Sequence, residues 1–160
     1  MNKFKFKLHL AIKRLQDFIP VIKLQHIAIS LFLILFGVSC RKSDLHPVPN
    51  VPVEFVINIE STLHIELNNP GGWAYFTGGY RGIIIYRLSE TEFMAFDRAC
   101  PVHPHDECAI IKVIDPPLAT DSCCSSTFLL IDGSPVQGPS RYSLRQYRTF
   151  LDYPLLRVTN

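Results

Sequence analysis

Short runs of apolar and β-branched residues, separated by turn-forming residues, dominate the chain after residue 52. Seven of these runs predict β-strands, at residues 53–59, 63–67, 83–87, 93–97, 127–131, 147–151 and 155–159. Glycine, proline, asparagine and aspartate cluster between the runs. The only helix-like signal is Ser89 followed by Glu92, and no apolar helical stripe comes after it. The pattern therefore predicts an all-β sandwich or small barrel.

Aromatic residues lie within or beside the predicted strands. We expect them to fill the core of the β domain and not to form a binding surface. The set consists of Trp73, Tyr75, Phe76, Phe93, Phe96 and Phe128.

The first 40 residues have a different pattern, which is typical of an export signal. Six basic residues and one acidic residue are found in residues 1–39, and an apolar run of twelve residues occupies positions 27–38. The run is short for a bilayer span, which takes about 20 residues, but it suits the central region of a secretory signal. Ser39 and Cys40 follow it directly, which resembles a bacterial lipoprotein signal, although Gly37 stands where that signal usually has leucine.

This resemblance implies that Cys40 is lipidated and becomes the mature N-terminus. The expected organisation is a signal peptide at 1–39, a lipidated cysteine with a proline-rich spacer at 40–52, and a β domain at 53–160. An uncleaved membrane anchor is the alternative. In either case we expect the domain to be tethered to a membrane of the cell envelope on the exported side, with the membrane as its partner through Cys40.

Composition and charge exclude several functions. The chain has 160 residues and a net charge of +2, but residues 40–160 carry ten basic and 13 acidic groups. This mildly acidic body argues against nucleic acid as a partner, because a nucleic-acid-binding protein needs a basic face. The sequence contains no glycine-rich phosphate loop and no nucleophile elbow.

Cysteine and histidine are concentrated in two loops of the predicted domain. The first loop spans residues 100–108 and contains Cys100, His103, His105 and Cys108. The second spans residues 121–128 and begins with Asp121-Ser-Cys123-Cys124. Export would favour disulfides, and four cysteines besides Cys40 allow three pairings.

The sequence after the second loop resembles the second half of a Rieske domain. That family has a small-small-x-Phe turn, then an Asp-Gly hairpin, a Gly-Pro loop and a Leu-x-x-Tyr segment. The corresponding residues are Ser125, Ser126, Phe128, Asp132, Gly133, Gly138, Pro139, Leu144 and Tyr147. Residues 92–101 are similar to the strand that leads into the family's first ligand loop, so the resemblance covers about residues 72–159.

The resemblance implies a [2Fe-2S] cofactor and single-electron transfer, but most of the ligands differ. The family pattern is Cys-x-His in the first loop and Cys-x-x-His in the second, which places two cysteines on one iron and two histidines on the other. Cys100 matches, whereas Val102, Asp121 and Cys124 occupy the other three positions. The best replacement set combines Cys100, His103 and Cys124 with either Cys123 or Asp121.

Disulfides are the competing interpretation of the cysteines. Some Rieske domains tie their two ligand loops together with a disulfide, and by this resemblance Cys123 would pair with Cys108. Cys100 and Cys124 would then face each other and could form a second bridge. A third possibility is a zinc site made of Cys100, His103, His105 and one of the adjacent cysteines Cys123 and Cys124. Otherwise His103 and His105 are simply solvated loop residues.

Two functions remain open at this point. The first is a clusterless, disulfide-linked Rieske-like lipoprotein with a structural or binding role at the cell envelope, whose protein partner the sequence does not identify. The second is an electron-transfer protein with an atypical [2Fe-2S] cluster. We expect at most an electron-transfer component and no enzyme with substrate chemistry of its own.

Overall fold

The computed structural model describes residues 46–160, and the predicted signal segment and Cys40 lie outside them. Ten strands and one 3₁₀ helix make up this part of the chain. The strands are β1 (Glu54–Asn58), β2 (Trp73–Phe76), β3 (Ile83–Arg87), β4 (Phe93–Asp97), β5 (Ile111–Asp115), β6 (Leu118–Asp121), β7 (Thr127–Leu129), β8 (Pro135–Gln137), β9 (Gln146–Asp152) and β10 (Leu155–Thr159). The all-β prediction is confirmed. Within residues 46–160 the structure has no helix that is long and apolar enough to cross a bilayer.

The strands form two antiparallel sheets. The larger sheet has the order β1-β10-β9-β4-β3-β2, and the smaller has the order β5-β6-β7-β8. Strand β9 joins the two halves of the larger sheet, because its residues 148–152 pair with β10 and its first two residues pair with Ala95 and Phe96 of β4. The four strands of the smaller sheet follow one another in sequence and are connected as simple antiparallel neighbours.

Strand β3 explains why the domain has two cores. All five of its residues are buried, and successive side chains on a strand point to opposite faces. Ile83 and Ile85 enter a core shared with β1, β9 and β10. Ile84 and Tyr86 enter a second core shared with β5, β6 and β7. The second core also contains Cys100, so the smaller sheet packs directly beside the candidate site.

The segment at 63–67 is not the strand that its sequence predicts. Thr62–Asn68 is a 3₁₀ helix with a kink at His64 (φ −133°, ψ 40°), and its N-cap, Ser61, accepts a hydrogen bond from the Leu63 N–H. Of the three apolar side chains that suggested alternation, Leu63 and Ile65 are exposed and only Leu67 is buried. The buried Arg87 guanidinium donates to the carbonyls of Leu67 and Asn68, which stabilises the end of this helix.

The helix-like signal at Ser89 does not form a helix, and one of the six predicted core aromatics is exposed. The segment at Ser89 is a turn between β3 and β4 in which the Ser89 hydroxyl accepts from the Glu92 N–H. Tyr75 is 38% exposed and is not a core residue. Its ring lies under the Arg98 guanidinium at 3.8 Å, and its hydroxyl accepts from the Val113 N–H. The other predicted core aromatics are buried or half-buried.

Residues 46–52, which belong to the predicted spacer, contact the domain. Val48 is fully buried, and its carbonyl accepts a hydrogen bond from the Arg145 guanidinium at 2.8 Å. Asn160, at the other end of the described chain, donates to the Val51 carbonyl. These contacts hold the chain that leads into β1 against the domain.

A buried carboxylate at the end of β4 fixes the start of the first cysteine loop. Asp97 accepts hydrogen bonds from the backbone N–H groups of Tyr80 (2.5 Å), Arg81 (3.2 Å) and Ala99 (2.8 Å), and from the Tyr147 hydroxyl (2.6 Å). It therefore joins the β2–β3 connection, the first cysteine loop and β9. Burial and this hydrogen bond to Asp97 raise the pKa of Tyr147, which keeps the phenol protonated as a donor.

Gly79 lies against this carboxylate, and we predict that Gly79→Ala destabilises the domain. Gly79 has φ +62°, and an added Cβ would lie 2.5 Å from a carboxylate oxygen of Asp97 and 2.6 Å from the Tyr147 hydroxyl. Gly71→Ala is a matched control, because Gly71 also has positive φ (+87°) but has no atom within 4 Å of an added Cβ. The control measures backbone strain alone, about 1 kcal/mol.

We expect Gly79→Ala to lower the free energy of unfolding by about 1–3 kcal/mol more than Gly71→Ala does, because this is the usual cost of overpacking a buried site. The free energy of unfolding, measured by urea denaturation, checks this difference. Equal losses for the two variants would contradict the close packing of Asp97 and Tyr147 around Gly79.

Candidate functional site

The first loop places Cys100 in the interior of the domain. Cys100 follows β4 by three residues and is fully buried. Its N–H donates to the Ala109 carbonyl at 3.1 Å, and Ala99 pairs with Ile110 across the base of the loop. The loop is therefore closed by backbone hydrogen bonds, and Cys100 is held within the second core.

The second loop is organised by the side chain of Asp121, the last residue of β6. Its carboxylate accepts hydrogen bonds from the N–H groups of Cys123 (3.0 Å) and Cys124 (3.2 Å). The Asp121 carbonyl accepts from the Ser125 N–H, and its N–H donates to the Ser126 carbonyl. Ser125 completes the turn with φ +60°. An aspartate that begins a turn by accepting from the following N–H groups is a common turn device.

The two loops bring together three donor atoms that can bind a metal. The sulfurs of Cys100 and Cys124 and a carboxylate oxygen of Asp121 all lie within 4.8 Å of one another. The two sulfurs are 3.5 Å apart, and the Cys124 sulfur lies 3.1 Å from the Ser126 hydroxyl. Cys100, Asp121 and Ser126 are buried, whereas Cys124 is half-buried.

Hydrogen bonds within this group shift the pKa values of its members. Burial raises the pKa of the Cys100 thiol, and the neighbouring Asp121 carboxylate raises it further. For Asp121, burial alone would raise the pKa. Hydrogen bonds from the Cys124 thiol, the Cys123 N–H and the Cys100 thiol outweigh it and lower the pKa. Without a metal the group therefore contains one carboxylate and at least one neutral thiol.

Cys108 and Cys123 form a disulfide between the two loops, as the resemblance to Rieske domains implied. Their Cα atoms are 5.5 Å apart, and the bond closes a segment with a sequence separation of 15 residues. The second bridge that we considered, between Cys100 and Cys124, is not formed, and both of these cysteines are free. Their sulfurs are at hydrogen-bonding distance and not at bonding distance.

The histidines of the first loop do not join the three donors. His103 and His105 are both exposed, and neither belongs to the group of Cys100, Asp121 and Cys124. The His105 ring accepts from or donates to the Tyr80 hydroxyl at 2.8 Å, and its carbonyl accepts from the Arg81 guanidinium. The zinc set of Cys100, His103, His105 and an adjacent cysteine is therefore not assembled. His105 contacts Tyr80 instead, and His103 lies exposed between Pro101 and Pro104.

These residues do not fit a [2Fe-2S] cluster. A cluster of the Rieske type needs four protein ligands, two for each iron. The structure brings together three donors, the sulfurs of Cys100 and Cys124 and a carboxylate oxygen of Asp121. Cys123, the fourth candidate, is used by the disulfide, and His103 lies outside the group. The replacement set expected from the sequence is thus incomplete.

Comparisons with known proteins give distant likenesses. No protein-family model matches the chain, and no curated protein matches it. A solved structure similar to it is a chain from the complex of reduced oxygenase and oxidized ferredoxin in carbazole 1,9a-dioxygenase. It is 14% identical with a TM-score of 0.46, and the match covers 69% of this chain and 94% of that one.

Two further similar structures are assigned as nitrite reductase small subunits. One is assigned as the small subunit of an NADH-dependent nitrite reductase from Mycobacterium tuberculosis. It is 15% identical with a TM-score of 0.43, and the match covers 69% of this chain and 97% of that one. The other is assigned as the small subunit of a nitrite reductase of the NADPH type. It is 12% identical with a TM-score of 0.41, and 68% and 98% of the two chains are covered.

Sequence reasoning missed two roles in this site. It treated Asp121 only as a poor substitute ligand, although the Asp-Ser-Cys-Cys order is a recognisable aspartate turn. It did not single out Asp97, because the partners of that carboxylate come from residues up to 50 positions away along the chain.

We predict that Asp121→Asn destabilises the domain in metal-free buffer. The amide keeps one acceptor oxygen but turns an N–H group toward a backbone N–H donor, so one hydrogen bond to a charged acceptor is lost. We expect a loss of about 1–3 kcal/mol in the free energy of unfolding. Asp115→Asn, at an exposed aspartate of β5, is the control and should change stability by less than about 0.5 kcal/mol.

The effect of Asp121→Asn should also depend on pH. The folded-state pKa of Asp121 lies below its unfolded value, so the ionised carboxylate stabilises the fold above about pH 4, where the unfolded aspartate is ionised. This contribution is lost as the pH falls through the folded pKa. Urea denaturation at several pH values should show the stability gap between wild type and variant narrowing below about pH 4. A gap that widens on acidification would contradict the assignment.

Proposed function

We propose that this protein is an exported lipoprotein, anchored to a membrane of the cell envelope through Cys40, whose Rieske-like domain holds no [2Fe-2S] cluster and has a structural or binding role. The observation that carries the proposal is the Cys108–Cys123 disulfide. It joins the two loops in which a Rieske domain binds its cluster, and it uses Cys123, so that three donors remain together, on Cys100, Asp121 and Cys124.

The disulfide also supports export. Structural disulfides form and persist in oxidising compartments and are rare in the cytosol. A small β domain gains stability from such a bond, on the order of 3 kcal/mol for a loop of about 15 residues in the chain-entropy model. The expected lipid on Cys40 would place residues 46–160 at the membrane surface, beyond a proline-rich segment whose last residues contact the domain.

Electron transfer through an atypical [2Fe-2S] cluster is the second candidate. The observation in its favour is that Cys100, Asp121 and Cys124 converge. Against it, the fourth ligand is missing from the group, and thiolate is a better cluster ligand than carboxylate. Assembly of a cluster would require the disulfide to be absent or the first loop to rearrange around His103.

Metal analysis of the full chain tests the clusterless function. The protein is isolated anaerobically, with detergent, from the membranes of cells that export it and are supplied with iron. We expect a colourless sample with less than about one-tenth of an iron and of a sulfide per chain, because the described residues do not provide four ligands. Brown protein with two irons and two sulfides per chain would contradict the proposal and favour the electron-transfer function.

Fractionation of the same cells tests the anchor. Cys40→Ser should remove the acyl groups seen by mass spectrometry and release the protein from membranes. Ser39→Ala is the matched control, since alanine is also a small residue before the cysteine and should leave lipidation intact. Membrane association of Cys40→Ser equal to that of the control would instead support an uncleaved anchor.

A further inference from the structure

We propose that Cys100, Asp121 and Cys124 bind a single Zn²⁺ ion. This goes beyond the proposed function, which assigns no ligand to these residues. It also differs from the zinc set predicted from the sequence, which combined the histidines of the first loop with an adjacent cysteine. The two sulfurs and the carboxylate oxygen come from both loops and lie within 4.8 Å of one another.

The donor types favour zinc over other metals. Zn²⁺ binds thiolate, imidazole and carboxylate, whereas Mg²⁺ and Ca²⁺ take oxygen ligands and Cu⁺ takes soft sulfur ligands. A pair of thiols with one carboxylate is therefore a mixed set within the range of zinc. Three protein ligands are also the usual number in zinc sites that keep a fourth position for water or another small ligand.

The spacing of the donors agrees with a tetrahedral ion. Two sulfurs that each lie about 2.3 Å from a tetrahedral zinc are about 3.8 Å apart. The sulfurs of Cys100 and Cys124 are 3.5 Å apart, so a shift of a few tenths of an ångström, on the order of a small side-chain rotation, brings this pair to the tetrahedral spacing. Cys124 is half-buried, so the group can be reached from solvent.

Neighbouring groups are arranged to support bound thiolates. The Ser126 hydroxyl lies 3.1 Å from the Cys124 sulfur. Ser126 is itself held by the Ser140 N–H, which donates to its hydroxyl at 3.2 Å. Asp121 accepts two backbone N–H groups, which leaves lone pairs of its carboxylate for a metal because a carboxylate has about four acceptor sites. Such partners orient metal ligands.

The disulfide makes this site independent of a cluster. Because Cys108 and Cys123 join the loops covalently, no metal is needed to bring Cys100 and Cys124 together. The disulfide also leaves two thiols beside the Asp121 carboxylate. These three donors are enough for one metal ion with three protein ligands, but they are too few for the two irons of a cluster. The same feature that argues against a [2Fe-2S] cluster therefore favours a mononuclear site.

Zinc titration of the full chain tests the proposal. The protein is isolated in detergent from exporting cells, its metal is removed with a chelator under anaerobic conditions, and Zn²⁺ alone is added in competition with a chromogenic chelator. We expect one Zn²⁺ per chain. Cobalt substitution gives a second readout: Co²⁺ should produce a thiolate-to-metal charge-transfer band with the intensity of two thiolates.

Variants locate the ion. Cys124→Ser should lower zinc affinity by more than the roughly 100-fold that changes outside the ligand shell produce, and Asp121→Asn should lower it measurably. His103→Ala is the matched control, because this exposed histidine of the first loop belongs to the alternative zinc set and should leave affinity unchanged. An intact Cys108–Cys123 disulfide and an unchanged circular dichroism spectrum show that each variant is folded. Cys124 is half-buried, so its substitution is the least disruptive of the ligand changes.

Three results would overturn the proposal. The first is that no zinc binds although both thiols are free. The second is that zinc affinity is unchanged in Cys124→Ser or is lost in His103→Ala. The third is a Cys100–Cys124 disulfide in freshly isolated protein. Each of these leaves the clusterless function standing. Two irons and two sulfides in the isolated sample would refute the clusterless function as well, so the two failures are distinguishable.

Discussion

The disulfide between Cys108 and Cys123 holds the two cysteine loops together and determines which thiols of these loops stay free. The first loop leaves the larger sheet after β4, and the second connects β6 and β7 of the smaller sheet. The disulfide fixes their Cα atoms 5.5 Å apart. Within this arrangement the two other cysteines face each other, and the loops need no inorganic group to keep them together.

Two buried carboxylates, Asp97 and Asp121, fix the conformation of the two loops through their hydrogen bonds. Asp97 accepts four hydrogen bonds and holds the start of the first loop against β9 and the β2–β3 connection. Asp121 accepts two N–H groups and shapes the second loop. Burying a carboxylate is costly unless its hydrogen bonds are satisfied. In the part of the chain that the structure describes, no buried side-chain nitrogen or oxygen lacks a hydrogen-bond partner.

Strong local patterns made much of the fold predictable. Strands β3, β4 and β10 coincide with the apolar runs at 83–87, 93–97 and 155–159. The prediction failed at 63–67, where alternating apolar residues form a 3₁₀ helix because Ser61 caps it and Arg87 binds its last carbonyls. Strands β2, β5, β6 and β8 were missed. β2, β6 and β8 have only three or four residues each, and β5 and β6 carry polar residues on either side of a tight turn at Pro116 and Pro117.

The residues of the candidate site could be predicted from the sequence, but which of them lie together could not. Cysteine content and the resemblance to Rieske domains singled out Cys100, Asp121, Cys123 and Cys124. Sequence order alone could not decide which thiol pairs with which, since four cysteines allow three pairings. It also could not show that Asp121 turns toward two thiols while His103 stays at the surface, because this depends on how the two loops meet in space.

Peptide mapping by mass spectrometry tests most directly which of the four loop cysteines form a disulfide and which are free. The full chain is isolated from exporting cells, its free thiols are alkylated under denaturing conditions with a chelator present, and the protein is digested without reduction. The account predicts one disulfide-linked peptide pair, joining Cys108 to Cys123, with Cys100 and Cys124 both alkylated. Alkylation of all four cysteines, or a linked pair that contains Cys100, would contradict it.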